Sequence, residues 1–266
     1  MPILPTEPRR RATLVAAAVA VVCAGAVAFV ALGPLSAAPA PTPTRSVAAS
    51  TPTPTPTPST SRAPVDGVDA PASTTVAAVR GAEVQVSATA GGAVSQTLSN
   101  PQESGAPRVF RVVDQQDGWV QVQLAQRPNG SVGWVRSSAV SLSEDPYAIV
   151  VTRSTKTLDL YKDGEVVESY PVATGTGGTP TPTGRFALTE LLAPTNSGYG
   201  PYAYGTTAFS DVLNSFGGGP GQIGLHGTED ASSIGTAASH GCIRMHNDDI
   251  TALAELLPLG TPFQVR

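Results

Sequence analysis

Charged residues are scarce in this 266-residue chain, at 14% against about 25% for an ordinary soluble domain. No basic excess exists: 16 Lys and Arg face 20 Asp and Glu, for a net charge of −4. Binding to nucleic acid through a basic patch is therefore disfavoured. Only two cysteines are present. They lie at unlike positions, which excludes a disulfide-rich scaffold and a four-cysteine zinc module. What the chain has instead is 27 glycines and 25 prolines, and its length suits one or two domains.

The composition is not uniform. Arg9, Arg10 and Arg11 precede an apolar run, Ala12–Gly33, that carries no charge. As a helix this run would span about 33 Å, the thickness of a bilayer core. It predicts a signal-anchor, with residues 1–38 forming a cytoplasmic tip and membrane helix and the remainder exported. Ser36-Ala37-Ala38 resembles a cleavage site, but Pro39 would follow the cut. Cys23 lies inside the run behind Val22, where a lipoprotein cysteine needs a small residue. Residues 39–75 contain 9 prolines among 37 residues and include TPTPTPTP at 51–58. This composition cannot build an apolar core and predicts a disordered, extended linker. Beyond residue 38 the chain holds 13 basic and 19 acidic residues, so the exported part is not drawn electrostatically to an anionic membrane surface.

Residues 76–143 read as short alternating strands: Glu83–Ser87, Arg108–Val113, Gly118–Leu124 and Gly133–Val135. Turn-rich stretches such as Gly91-Gly92 and Arg127-Pro128-Asn129-Gly130 separate them, as in a small β-barrel or meander. The phrases Asp117-Gly118-Trp119-Val120-Gln121-Val122 and Gly133-Trp134-Val135 resemble bacterial SH3-type domains, which implies a wall-associated module. Trp119 and Trp134 serve there as packing or as a groove lining.

Residues 147–266 form a second unit. Ala148–Thr152, Thr157–Tyr161 and Val166–Val172 are strand-like, with a tight turn at Lys162-Asp163-Gly164-Glu165. Two glycine-rich loops follow, TGTGGTPTPTG at 174–184 and GGGPGQIG at 217–224. Neither carries the Lys-Ser/Thr of a phosphate loop. One helix is expected near the end, capped by Asn247, with Asp248 and Asp249 at its start and Ile250, Leu253, Ala254 and Leu257 on its apolar face. Pro262–Arg266 closes the unit as a strand. The reading is mainly β with one main helix.

The chemistry concentrates in 21 residues. His226, His240 and His246 are the only histidines of the protein, and Cys242 lies among them in Ser239-His240-Gly241-Cys242-Ile243-Arg244-Met245. An unpaired exported thiol beside an imidazole can become a thiolate nucleophile for acyl groups. Glycine before the cysteine lets a substrate carbonyl approach backbone N–H groups. No acidic residue stands out to orient the histidine, which leaves a backbone carbonyl or the hydroxyl of Ser239 or Thr228. His226, His240 and Cys242 could also hold zinc, but a metal would occupy the nucleophile.

HGT at 226–228, SIG at 233–235 and SHGCIRM at 239–245, with PTPTG upstream, resemble the bacterial L,D-transpeptidase family over the whole of 147–266. The resemblance implies a β-sandwich-like catalytic domain behind the SH3-like barrel. Cys242 would be the nucleophile and His226 the general base. Ser239, His240, Gly241 and Arg244 would bind or orient substrate, and His246 would be structural. No cofactor and no metal are implied. Cys242 would take the acyl group of a peptidoglycan tetrapeptide at its third, diamino-acid residue and release D-Ala. The amine of a neighbouring stem would then resolve the thioester into a 3→3 crosslink. Water in its place gives L,D-carboxypeptidase trimming, and an acceptor protein gives attachment to the wall. Carbapenems are expected to acylate Cys242. The place is the cell envelope, outside the cytoplasm. The rival of another class is a non-catalytic wall-binding protein that works through the SH3-like module.

Overall fold

Alternating apolar residues become strands wherever two such runs can pair and bury one face. The structure, a computed structural model, describes residues 67, 68 and 70–266. The signal-anchor expected over 12–33 and most of the Pro/Thr-rich segment lie outside the described residues. Among the described residues no helix is long and apolar enough to cross a membrane.

Seven strands build the first sheet: β1 (Thr74–Val79), β2 (Glu83–Ser87), β3 (Val94–Ser99), β4 (Val109–Gln116), β5 (Trp119–Gln123), β6 (Val132–Arg136) and β7 (Val140–Asp145). Their order is β3-β2-β6-β5-β4-β1-β7, with antiparallel neighbours throughout. Val84, Val86, Val120, Val122 and Val135 face one core with Phe110 and Leu124. Trp134 is buried. Trp119 is instead covered by the Arg136 guanidinium, 4.6 Å from its ring centre.

The second unit comprises β8 (Tyr147–Thr152), β9 (Thr157–Lys162), β10 (Glu165–Pro171), β11 (Thr174–Gly175), β12 (Gly184–Leu192), β13 (Ala203–Phe209), β14 (Gln222–His226), β15 (Ala237–Ser239), β16 (Ile243–Arg244), α1 (Asn247–Leu256) and β17 (Pro262–Val265). Eight of these strands form one sheet, in the order β10-β9-β8-β17-β12-β13-β14-β16, and β11 pairs with β15. The helix packs Ile250 and Leu253, with Leu257 just beyond its end, into the core made by Ile149, Phe186, Leu188, Leu225 and Phe263. Tyr204 fixes its C-terminal end. The Tyr204 hydroxyl lies 3.0 Å from both the Leu253 and Leu257 carbonyls and donates its proton there, beside the Leu257 N–H that also bonds the Leu253 carbonyl at 2.8 Å.

The expected cap is corrected. Asn247 is the first helical residue and His246 takes the cap position without a side-chain bond. The Asn247 side chain is committed elsewhere: its Oδ1 accepts from the Thr228 N–H at 2.9 Å and its Nδ2 donates to Glu229. It therefore ties the start of the helix to the loop after His226.

The two sheets belong to one compact unit. Gln123 Nε2 donates to the Arg185 carbonyl at 2.7 Å and Gln102 Nε2 to that of Thr189 at 2.8 Å. The buried carboxylate of Asp145 accepts the Thr261 hydroxyl at 2.7 Å.

Candidate active site

Register brings the site together. His226 ends β14 and Cys242 immediately precedes β16, and these two strands pair in parallel with Leu225 opposite Ile243 and His226 opposite Arg244. Gly224 consequently sits beside Cys242. A methyl group built on Gly224 would lie 3.7 Å from His226 Cδ2 and 3.8 Å from Cys242 Sγ. Imidazole and thiol thus converge over a residue that has no side chain.

The imidazole is oriented by backbone. His226 is 4% exposed, and its Nδ1 lies 2.6 Å from the Gly227 carbonyl. A carbonyl only accepts, so Nδ1 carries the proton and Nε2 is left as the basic nitrogen. Burial lowers the His226 pKa to about 4, with the Gly227 carbonyl opposing that shift and the positive charge of Arg244 adding to it. Tyr199 covers the ring, with centroids 4.5 Å apart.

Cys242 is the free cysteine of the described residues. Burial pushes its thiol up, while the Gly224 N–H and the charge of Arg244 pull it back. The two groups therefore rest as neutral thiol and neutral imidazole near pH 7. Ser239 is buried, and its Oγ donates to the Cys242 carbonyl at 2.5 Å while accepting from the Gly241 N–H at 3.1 Å. The Gly241 N–H is thereby used inside the loop and is not open to an oxyanion. Thr181, from the PTPTG segment, donates its hydroxyl to the Gly241 carbonyl at 2.8 Å and accepts from Gly175 N–H at 2.9 Å. The upstream motif is a brace for the cysteine loop.

Arg244 lines the pocket, and its buried Nε has no hydrogen-bond partner. His240 is exposed and stacks on Phe216, with ring centres 4.8 Å apart. His246 lies outside the pocket lining, at the helix cap. Within the 198–209 segment Tyr204 is core and Tyr202 packs against it, whereas Tyr199 stands at the site. Tyr199, Phe216 and Thr181 are the residues that sequence patterns did not assign to the site. Among the described residues no group of three or more His, Cys, Asp or Glu is placed to hold a metal.

Two pockets meet at Cys242. One, of about 350 Å³, reaches His226, His240 and Arg244. The other, of about 330 Å³, reaches Tyr204, Gly205 and Glu190. Tyr199 and Phe216 line both. Phe216 belongs to an excursion, residues 210–221, that the first sheet holds in place. Arg127 donates to the carbonyls of Ser210 at 2.7 Å, Leu213 at 2.8 Å and Pro220 at 3.1 Å. Asn129 pairs with the Phe209 backbone through both its amide oxygen and its amide nitrogen, each at 2.8 Å.

Comparison with known proteins agrees with this geometry. The family profile of the YkuD L,D-transpeptidase catalytic domain matches residues 146–265. YqjB of Bacillus subtilis, named as an L,D-transpeptidase, is 35% identical in a 134-position alignment that covers 45% of this chain and 70% of that protein. YkuD of Bacillus subtilis is 40% identical and YkuD of Bacillus licheniformis 37% identical. Each match covers 116 residues, 44% of this chain and 63% of the relative, so the chain spans somewhat under two thirds of those two proteins. With a cysteine and an imidazole meeting over Gly224 inside the matched region, the chain belongs to the L,D-transpeptidase family.

Proposed function

We propose that the protein is a peptidoglycan L,D-transpeptidase that forms 3→3 crosslinks through a thioester on Cys242. The single observation that carries the reading is the convergence of Cys242 Sγ and the His226 ring over Gly224, with His226 Nδ1 held by a carbonyl. In this reading His226 Nε2 takes the thiol proton as sulfur attacks the L-centre carbonyl of the third stem residue. The Cys242 N–H and the charge of Arg244 face the developing oxyanion. The carbon–nitrogen bond to the terminal D-Ala breaks, and its amine leaves with the proton returned by His226. The amine of a second stem then attacks the thioester, gives its proton to His226, and the thiol is restored. The two pockets on either side of Phe216 suit a donor and an acceptor strand.

In the same reading, residues 12–33 hold the protein at the outer face of the membrane. The first sheet acts as an SH3-like wall-binding module, and the cell envelope is the working compartment. The test uses purified disaccharide-tetrapeptide. Wild type gives a crosslinked dimer, free D-Ala and a thioester adduct detectable by intact-protein mass, and imipenem gives an adduct at the same sulfur. Cys242→Ala abolishes all of these. Dimer formation by Cys242→Ala removes the thiol from the mechanism. Hydrolysed tripeptide without dimer makes the protein a carboxypeptidase instead.

A further inference from the structure

A row of residues runs from the thiol across the sheet toward the first module. Cys242 lies beside Gly224 on β14, Gly224 pairs with Gly205 on β13, and Gly205 pairs with Glu190 on β12. Cross-strand partners carry their side chains on the same face. A Cβ on Gly205 would meet Glu190 Oε1 at 2.6 Å, and one on Gly224 would lie 3.8 Å from Cys242 Sγ. The carboxylate and the thiol therefore share a face, with the Glu190 side chain lying over Gly205 and only the bare backbone of Gly224 between it and the sulfur. With strands about 4.8 Å apart, the carboxylate stands within roughly 11 Å of the sulfur.

Past Glu190 the groove continues into a polar cleft of about 570 Å³ between the two sheets, lined by Gln102, Glu103 and Arg108 of the connection between β3 and β4. Arg108 is anchored by Nε donating to the Ser99 carbonyl at 2.5 Å. Its positive charge acts on Glu190 through space, and burial holds its pKa down. A carboxylate and a guanidinium thus face one cleft at the end of a channel floored by the bare backbone of Gly224.

We propose that Glu190 binds the primary ammonium at the far end of the diamino-acid residue of a stem peptide, and that Arg108 faces the carboxyl group beside it. The proposal rests on the acyl-transfer reading above and names the substrate feature that this channel measures. An extended diaminopimelate side chain, counted from a carbonyl bonded to sulfur, places its distal nitrogen about 9 Å from that sulfur. A charge-assisted hydrogen bond of about 2.8 Å bridges the rest. The ammonium is that of the donor stem, because the distal amine of the acceptor is the nucleophile that must reach the thioester carbonyl.

The full chain is tested as wild type, Glu190→Gln and Glu190→Asp. Three probes are used: a disaccharide-tetrapeptide containing meso-diaminopimelate, the same molecule with its distal amine acetylated, and imipenem. Glu190→Gln slows reaction of the free-amine substrate by about ten-fold or more relative to imipenem, and Glu190→Asp retains part of the preference. Wild type discriminates against the acetylated donor, and Glu190→Gln does not. A loss confined to thioester formation places the ammonium on the donor. Normal thioester formation with slowed dimer formation overturns the proposal, because the acceptor's distal amine is the nucleophile and cannot rest on Glu190. Equal rates for wild type and Glu190→Gln on the free-amine substrate overturn the proposal. So does an equal loss on all three probes, which marks a structural role. Absence of any adduct on wild type overturns the acyl-transfer reading itself and this proposal with it.

Discussion

The backbone N–H of Gly224 donates to Cys242 Sγ at 3.3 Å, a hydrogen bond aimed at the sulfur of a thiol that burial otherwise keeps protonated. A thiolate forming there meets a donor already in place, with no reorganisation. The resting enzyme should consequently look unreactive toward small electrophiles. Alkylation of Cys242 by iodoacetamide at pH 7 is expected to be about ten-fold slower than that of free cysteine, and still rising at pH 9. A rate that levels off below pH 7 would show a preformed thiolate–imidazolium pair instead.

His226 makes stability depend on pH. Its folded pKa is about 4, below the ordinary 6.5, because burial opposes the charged ring. Between those values the unfolded chain binds more protons than the folded one, so unfolding free energy rises with pH across that window. The stabilisation is complete above about pH 6.5. It is lost as pH falls, amounting to about 3 kcal/mol by pH 4. Denaturant unfolding of wild type and His226→Asn at pH 7 and pH 4 checks this, because the variant loses that part of the difference. The acid limb of thioester formation should likewise fall near pH 4. A limb near 6.5 contradicts the buried neutral base.

Arg127 and Asn129 supply the partners that the 210–221 excursion would otherwise lack, since β13 and β14 pair only up to its edges. Arg127 also lies over the Phe209 ring, 5.1 Å from its centre. Arg127→Ala should leave the sheets folded and loosen the excursion that carries Phe216 to His240. Amide exchange over 210–221 is expected to accelerate about ten-fold or more, with slower imipenem acylation. Unchanged exchange would mean that the excursion holds itself.

Strands with clear alternation or a continuous apolar run were legible in the sequence: β2 appears at its predicted bounds, and β8, β9 and β17 within a residue or two. β1 and β7 were not, because Thr74–Val79 and Val140–Asp145 carry weak alternation and gain strand form by pairing, β1 between β4 and β7 and β7 along β1. The cysteine and histidines were found because rare, reactive residue types cluster along the chain. Tyr199 and Phe216 reach the site through loops and register, which leave no local pattern, and Thr181 lies in the PTPTG segment without its bond to the Gly241 carbonyl being visible there. Asn247 had the composition of a helix cap, but its side chain is drawn to Thr228, a long-range partner that overrides the local preference.

Two glycines beside the sulfur separate folding from catalysis. Gly241 has φ +126°, and a Cβ there would meet Ile223 Cδ1 at 2.9 Å. Gly241→Ala is therefore strained, with an expected loss of about 1–3 kcal/mol. Gly224 has no such backbone demand, and its nearest prospective neighbour is the Tyr204 carbonyl oxygen at 3.4 Å. Gly224→Ala should fold with a change in stability below about 1 kcal/mol. Its methyl group would stand between thiol and imidazole, where a substrate carbonyl must approach, so thioester formation should fall by about a hundred-fold. Thermal unfolding and intact-mass acylation rates on both variants decide the matter. If Gly224→Ala acylates normally, the reacting carbonyl does not pass over Gly224.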